Sequence, residues 1–212
     1  MIIGFAGKAA SGKTTAARHL APLLEREALI IPMAQVLREE VEHFLRSCGA
    51  ADHVPLVYGS QEDKLRVFHV DQSRALAACP KWGDFLHEHA DIQQDGARSA
   101  VTVRRILQWW GTEYRRAEDP DYWTKAWKKK VSGYDLERVH ILVDDVRFMN
   151  ELQVIRALDG RFVRIDRPGF AAGGNHASET SLDRFSGWDA VVLNDGTLEE
   201  FKAKIGLLVG QL

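Results

Sequence analysis

Hydrophobic positions along the chain fall into two rhythms, short apolar β-prone runs and longer stretches in which apolar residues return every three or four places. Ile2–Ala6 is a run of the first kind, followed by a glycine-containing turn and then by Thr14–Glu27, whose alanine, leucine and arginine content predicts a helix. Ala28–Pro32 reads as a second strand, and Gln35–Leu45 as a helix burying Val36, Val41, Phe44 and Leu45. From Arg46 to Ala100 the pattern weakens, interrupted by Gly49, Pro55, Gly59, Pro80, Gly83 and Gly96, which suggests an inserted, mostly helical subdomain. Regularity returns over Val101–Arg116, where Val103, Ile106, Leu107, Trp110 and Tyr114 form one helical stripe. Tyr122–Val131 continues as helix after the Asp119-Pro120 start signal. Val139–Val143 has the near-continuous apolar character of a buried parallel strand and ends in Asp144-Asp145. Asn150–Leu158 reads as helix, Arg161–Ile165 and Ala190–Leu193 as strands, and Leu198–Val209 as a terminal helix.

Strands alternating with helices predict a three-layer α/β fold with a mainly parallel sheet. The expected organisation is one domain over 1–212, with the helical insertion at about 46–100 and a lid at about 164–180. A chain of 212 residues can bury a self-sufficient core. No apolar run approaches the roughly 20 residues of a membrane span, and Met1-Ile2-Ile3-Gly4-Phe5 lacks the basic flank and cleavage site of a secretory signal. Two cysteines, Cys48 and Cys79, are too few for a disulfide framework, so a reducing cytoplasm is expected.

A formal net charge of −2 gives no global field for a nucleic-acid polymer or an anionic membrane. Among the 28 basic residues, however, 18 are arginine, whose planar fork suits bidentate phosphate contacts. The Lys128-Lys129-Lys130 run reads more simply as a solvated helix face.

Gly7-Lys8-Ala9-Ala10-Ser11-Gly12-Lys13-Thr14 matches G-x-x-x-x-G-K-[ST] in the strand-loop-helix context that the motif requires. Successive backbone N–H groups and a helix N-terminus enclose a phosphate there, with Lys13 reaching the β- and γ-phosphates of ATP and the Thr14 hydroxyl on Mg²⁺. Gly7, Ala10, Ser11, Gly12, Lys13, Thr14 and Thr15 are the expected triphosphate contacts. A GTPase switch would carry a base-reading Asn-Lys-x-Asp, which this sequence lacks. A small-metabolite kinase needs a second anion site and an arginine-bearing lid, because phosphoryl transfer is catalysed by positioning and charge neutralisation. Arg104, Gln108, Gly111 and Arg115 are spaced to share one helical face, either an acceptor grip or a solvated surface. Asp144 and Asp145 lie where metal-organising carboxylates sit in such folds. Arg147 and Glu151, four apart, read either as acceptor contacts or as an intrahelical ion pair. Arg161, Arg164 and Arg167 precede the glycine-rich Gly169–Asn175 segment and suggest the lid. His176, Ser178 and Glu179 read as hydrogen-bonding loop residues, and the tryptophans as core and cleft wall, Trp123 nearest a base.

Several segments together resemble the deoxynucleoside monophosphate kinases of bacteriophages, a branch of the P-loop nucleoside monophosphate kinases. They are the phosphate loop, Met33–Arg38, Val103–Gln108 with Gly111-Thr112-Glu113, Asp121–Lys125, Asp145-Val146-Arg147 with Asn150-Glu151, Arg167-Pro168-Gly169, and Asn194–Glu200. The resemblance implies transfer of the ATP γ-phosphate to the 5′-phosphate of a deoxynucleoside monophosphate, with Mg²⁺. It implies that Arg104, Gly111, Thr112, Trp123, Asp145, Arg147 and Glu151 line the acceptor site, with Arg38 and either Lys64 or Arg66 as further candidates, while the shared helical face adds Gln108. Arg38 stands where the family tends to carry lysine. Lys13, Asp145, Arg147, Arg164 and Arg167 are the expected catalytic residues, Thr14, Asp144 and Asp145 the metal residues, and Asn194 and Gly196 resemble the loop beside the ATP base. Dephospho-coenzyme A kinases, which share the phosphate loop and a similar C-terminal turn, are the nearest competing enzyme, and a nucleotide-binding regulatory protein is the non-kinase alternative. A homodimer is left open.

Overall fold

The computed structural model describes residues 1–89, 91–169 and 180–211. The chain begins with β1 (Ile2–Ala6), α1 (Lys13–Leu20), β2 (Glu27–Ile30), α2 (Gln35–Ser47) and α3 (Pro55–Tyr58). Then come β3 (Val67–Asp71), α4 (Gln72–Ala78), α5 (Trp82–Glu88), β4 (Gln94–Asp95) and β5 (Arg98–Thr102). They are followed by α6 (Val103–Trp109), α7 (Arg115–Glu118), α8 (Tyr122–Val131), β6 (Val139–Val146) and α9 (Met149–Arg156), and then by β7 (Arg161–Asp166), β8 (Ala190–Leu193) and α10 (Leu198–Gly206). Two compact units result, Met1–Met33 with Thr124–Leu212, and Ala34–Trp123.

In the first unit the strand order is β2-β6-β1-β7-β8, and every pairing is parallel. All five residues of β1 are buried, because a central parallel strand is covered on both faces. Ile3 and Phe5 pack with Ala16, Ala17 and Leu20 of α1 and with Phe201 and Ile205 of α10. Ile2 and Ala6 face the opposite side, toward Trp127, Val131, Leu152 and Ile155. Helix, sheet and helix make the three layers of an α/β P-loop kinase fold. The expected first helix is cut short, since α1 ends at Leu20 and the chain passes into a 3₁₀ turn over Ala21–Leu23. Pro22 accounts for this, having no N–H to continue the ladder and a ring that clashes with the preceding turn.

The second unit begins at Ala34 and ends at Trp123, wider at both ends than the stretch the composition marks out. It also carries an antiparallel sheet, order β3-β5-β4, where mostly helix is expected. In β3 the alternation is clean, with Phe68 and Val70 buried between exposed Val67 and His69, the period of two that one solvated sheet face imposes. Phe44, Trp82, Phe85 and Trp109 follow one another through the core at centroid separations of 4.9, 4.4 and 5.4 Å, the first pair tilted, the second stacked and the third edge to face. The helix expected over 101–116 is broken up. Val101 and Thr102 belong to β5, the Thr102 hydroxyl caps α6 by accepting from the Arg105 N–H, and Trp110–Tyr114 form a π-helical turn before α7. Among the described residues no helix is long and apolar enough to cross a membrane.

Candidate active site

Because the five strands are parallel, their carboxyl ends share one edge. The loops leaving β1, β6, β7 and β8 therefore gather there, the position at which open α/β sheets bind ligands. The loop after β1 is the predicted phosphate loop. Its backbone turns left-handed at Gly7 (φ 142°), Ala10 (φ 58°) and Gly12 (φ 109°), which swings successive N–H groups toward a common centre. A Cβ on Gly7 would lie 2.3 Å from the Ile165 carbonyl oxygen, so only glycine fits. Lys13 opens α1 and is 8 % exposed. Its ammonium donates to the carbonyls of Gly7 and Lys8, both at 2.7 Å, and so lies across the loop it serves.

The pairing of β1 with β6 slips between Gly4↔Val143 and Ala6↔Val146. Two steps on one strand oppose three on the other, so the irregularity falls on Asp144 and Asp145, and bulges of this kind re-aim side chains beside active sites. The two aspartates do different things. Asp144, 8 % exposed, accepts from the Thr14 hydroxyl at 2.6 Å. Asp145 accepts from the Met33 N–H at 2.7 Å and holds the chain leaving β2. Among the described residues no group of three or more His, Cys, Asp and Glu is placed to hold a metal. Mg²⁺ needs no such group, since it takes one or two protein oxygens and completes its shell with phosphate and water. The hydroxyl of Thr14 beside the carboxylate of Asp144 is a hard-oxygen pair that fits it.

Arg164, on β7, donates through Nε to Asp166 at 2.7 Å, the two side chains sharing one face of the strand. Arg164 thus belongs to the sheet and not to a lid starting at 164. Arg167, just past the strand, donates to the Ala10 carbonyl at 3.1 Å and so touches the phosphate loop. Arg161 is turned elsewhere, toward Asp189 at 3.7 Å, which removes it from the expected arginine set. From residue 170 onward the Gly169–Asn175 segment lies outside the described residues, as do His176, Ser178 and Glu179. Glu151 is buried and caps α9, accepting from the backbone N–H of Arg147 at 2.7 Å and of Phe148 at 3.1 Å. A pocket at this edge is lined by Gly7, Lys8, Arg147, Arg164, Asp183 and Trp188 among others. Lys8 is ion-paired with Asp183 there. That Asp183 and Trp188 lie beside the phosphate loop is not legible in the sequence, because no spacing ties residue 8 to residues 183 and 188. Past β8, Asn194 donates its amide to the Ser11 carbonyl at 2.8 Å, and Thr197 and Glu200 form a capping box at the start of α10 after Gly196.

In the second unit Arg104 and Gln108 are exposed on α6, Thr112 is half-buried in the π turn, and Gly111 is buried there. Arg38 on α2 and Lys64 in a 3₁₀ turn are half-buried. Trp123 is 4 % exposed, with its indole N–H donated to the Gly111 carbonyl at 2.9 Å, so it presents little face for a base to stack on. Arg115 does not continue the face of Arg104 and Gln108. A π turn carries one residue more than an α turn, which shifts the residues beyond it by about 100° around the axis. Arg115 instead pairs with Glu40 at 3.0 Å and stacks over Tyr114 and Tyr122 at 4.5 and 4.9 Å.

A parallel sheet with a phosphate loop after its central strand and a Thr–Asp pair beside that loop defines a P-loop nucleotide-binding protein. A family model described as deoxynucleotide monophosphate kinase matches residues 85–205, more than half of the chain, and the chain belongs to that family. It is 28 % identical over 213 residues to a putative deoxynucleotide monophosphate kinase of Acanthamoeba polyphaga mimivirus, an alignment covering 97 % of this chain and 94 % of the relative. It is 34 % identical over 110 residues to the deoxynucleotide monophosphate kinase of Enterobacteria phage T4, covering 49 % of this chain and 44 % of that protein. The corresponding protein of Escherichia phage RB69 is 31 % identical over 108 residues, covering 49 % and 43 %.

Proposed function

We propose that this kinase transfers the γ-phosphate of ATP to the 5′-phosphate of a deoxynucleoside monophosphate, giving ADP and the deoxynucleoside diphosphate. The observation that carries the ATP and Mg²⁺ side of the reading is the Thr14–Asp144 contact at 2.6 Å beside a loop with left-handed glycines, and the acceptor class rests on the family match over residues 85–205. An acceptor phosphate oxygen attacks the γ-phosphorus while the bond to the β,γ-bridging oxygen breaks. That acceptor is ionised at neutral pH, so no strong general base is needed, and the chemistry rests on positioning and charge. Thr14 and Asp144 would hold Mg²⁺, which would neutralise phosphate charge when bound. Asp145, tied to the Met33 N–H, serves the acceptor as a neighbouring carboxylate.

Gly7, Ala10, Ser11, Gly12, Lys13, Thr14 and Thr15 enclose the ATP phosphates, with Asn194 and Gly196 beside the base. Lys13, Arg147, Arg164 and Arg167 oppose the charge that builds up on the transferring group. In the second unit Arg104 forks onto the acceptor phosphate, with Arg38, Lys64, Gln108, Gly111 and Thr112 completing the acceptor surface and buried Trp123 supporting it through its bond to the Gly111 carbonyl. Asp145, Arg147 and Glu151 are further acceptor-binding residues, Glu151 fixing the start of α9. Small phosphorylated substrates and two free, buried cysteines suit a reducing cytoplasm.

Calorimetric titration tests this assignment. Arg104→Ala should weaken a deoxynucleoside monophosphate by about 10- to 150-fold, the worth of a charge-assisted fork. It should leave a non-hydrolysable ATP analogue unchanged, since the phosphate loop holds that ligand by separate residues. Equal weakening of both ligands, or of neither, would refute the acceptor role.

A further inference from the structure

Glu40 lies outside every predicted site residue, yet its carboxylate gathers three donors in the second unit. Oε2 accepts from Trp110 Nε1 at 2.8 Å and from Arg115 Nε at 3.0 Å, and Oε1 accepts from the Tyr122 hydroxyl. Trp110 is the first residue of the π turn, and Arg115 is the residue directly after it. One side chain on α2 therefore grips both ends of the five-residue turn. Its third partner, Tyr122, is the chain neighbour of Trp123, whose indole N–H donates to the Gly111 carbonyl inside that turn. The turn is wider than the α-helix on either side, and wide turns of this sort persist where surrounding contacts over-determine them.

We infer that Glu40 is a positioning residue for the acceptor site, holding the Trp110–Tyr114 turn so that Gly111 and Thr112 stand where the acceptor nucleotide needs them. The inference rests on the reading that Gly111 and Thr112 meet the acceptor. Glu40 itself touches no substrate. The Arg115 guanidinium, held between Tyr114 and Tyr122, pairs with the carboxylate and orients it. Without the carboxylate, Trp110, Arg115 and Tyr122 lose their shared acceptor, and the turn relaxes toward regular helix. That relaxation rotates Gly111 and Thr112 relative to Arg104 on α6.

The test measures steady-state kinetics and thermal unfolding on wild type, Glu40→Gln and Tyr122→Phe, each chosen to retain most of the packing. Glu40→Gln keeps the shape and one acceptor oxygen but loses the ion pair with Arg115. The expected result is an acceptor KM raised about 10-fold with the KM for ATP within twofold of wild type, and a smaller change of the same pattern in Tyr122→Phe. A purely structural Glu40 would instead lower the unfolding temperature and the active fraction while leaving both KM values of the folded enzyme unchanged, and that outcome overturns the inference. If wild type itself shows no saturable dependence on a deoxynucleoside monophosphate, the acceptor reading fails and the inference falls with it. If wild type saturates and Glu40→Gln has an unchanged acceptor KM, only the inference falls.

Discussion

The side-chain amide of Asn194 donates to the backbone carbonyl of Ser11 at 2.8 Å, tying the turn after the last strand to the phosphate loop across 183 residues of sequence. The same asparagine donates its backbone N–H to the Asp166 carbonyl at 2.7 Å, so the turn is fastened to β7 as well. A hydrogen bond of this kind contributes about 1 kcal/mol. Asn194→Ala should therefore raise the KM for ATP about 3- to 10-fold with little change in the acceptor KM. Initial rates with each substrate varied in turn check this.

The two aspartates of β6 should separate cleanly. Asp144→Asn keeps an acceptor for the Thr14 hydroxyl but loses the negative charge beside it. Turnover should fall by roughly 10²-fold, in the range lost when one preorganised electrostatic partner is removed, and the Mg²⁺ concentration for half-maximal rate should rise. Asp145→Ala leaves the Met33 N–H without its carboxylate, so it should lower stability by about 1–3 kcal/mol. Rates as a function of Mg²⁺, with denaturant unfolding of both variants, distinguish the roles.

Arg167 is exposed and reaches the Ala10 carbonyl at 3.1 Å. At the edge of the phosphate loop its guanidinium can follow charge that appears during transfer, whereas Arg164 is braced by Asp166. Arg167→Ala should lower kcat about 10-fold or more with either KM changed less, the pattern of a contact made mainly in the transition state. A change confined to KM would remove Arg167 from the catalytic set.

His140 predicts a pH dependence of stability. It is 9 % exposed on β6, its Nδ1 is buried without a partner among the described residues, and burial, reinforced by the N-terminal amine and Arg26, lowers its pKa below the usual value. The unfolded chain then binds a proton that the folded chain refuses. Stability is full above the unfolded pKa of about 6.5 and falls as pH drops below it toward the folded value. Denaturant unfolding at pH 5 and pH 7.5 should show this loss, and His140→Leu should flatten it.

Much of the sheet was readable because β1 and β6 are apolar runs bounded by glycine or aspartate, and a strand covered on both faces leaves that signature. The phosphate loop was readable because its chemistry depends on residues that are neighbours in sequence. The antiparallel sheet of the second unit was missed although Val67–Asp71 alternates, since the breakers around it mask a strand of five residues. The expected face of Arg104 and Arg115 failed for a different reason. A π turn leaves no mark in spacing, and what fixes it is the pairing of Glu40 with residues 70 to 82 positions away. The division of labour between Asp144 and Asp145 was equally hidden, because it depends on a slip in register with a strand far away in sequence.

The most direct test of phosphoryl transfer to a deoxynucleotide tracks the γ-phosphate. The enzyme is incubated with Mg²⁺ and ATP labelled at the γ-position, with each deoxynucleoside monophosphate, each ribonucleoside monophosphate, dephospho-coenzyme A or no acceptor, and the labelled products are separated. The expected result is label in the β-phosphate of at least one deoxynucleoside diphosphate, no comparable release of inorganic phosphate without acceptor, and a loss of roughly 10²-fold or more in Lys13→Ala. Label appearing only as inorganic phosphate at a rate indifferent to acceptor, or only in coenzyme A, would contradict the proposed reaction.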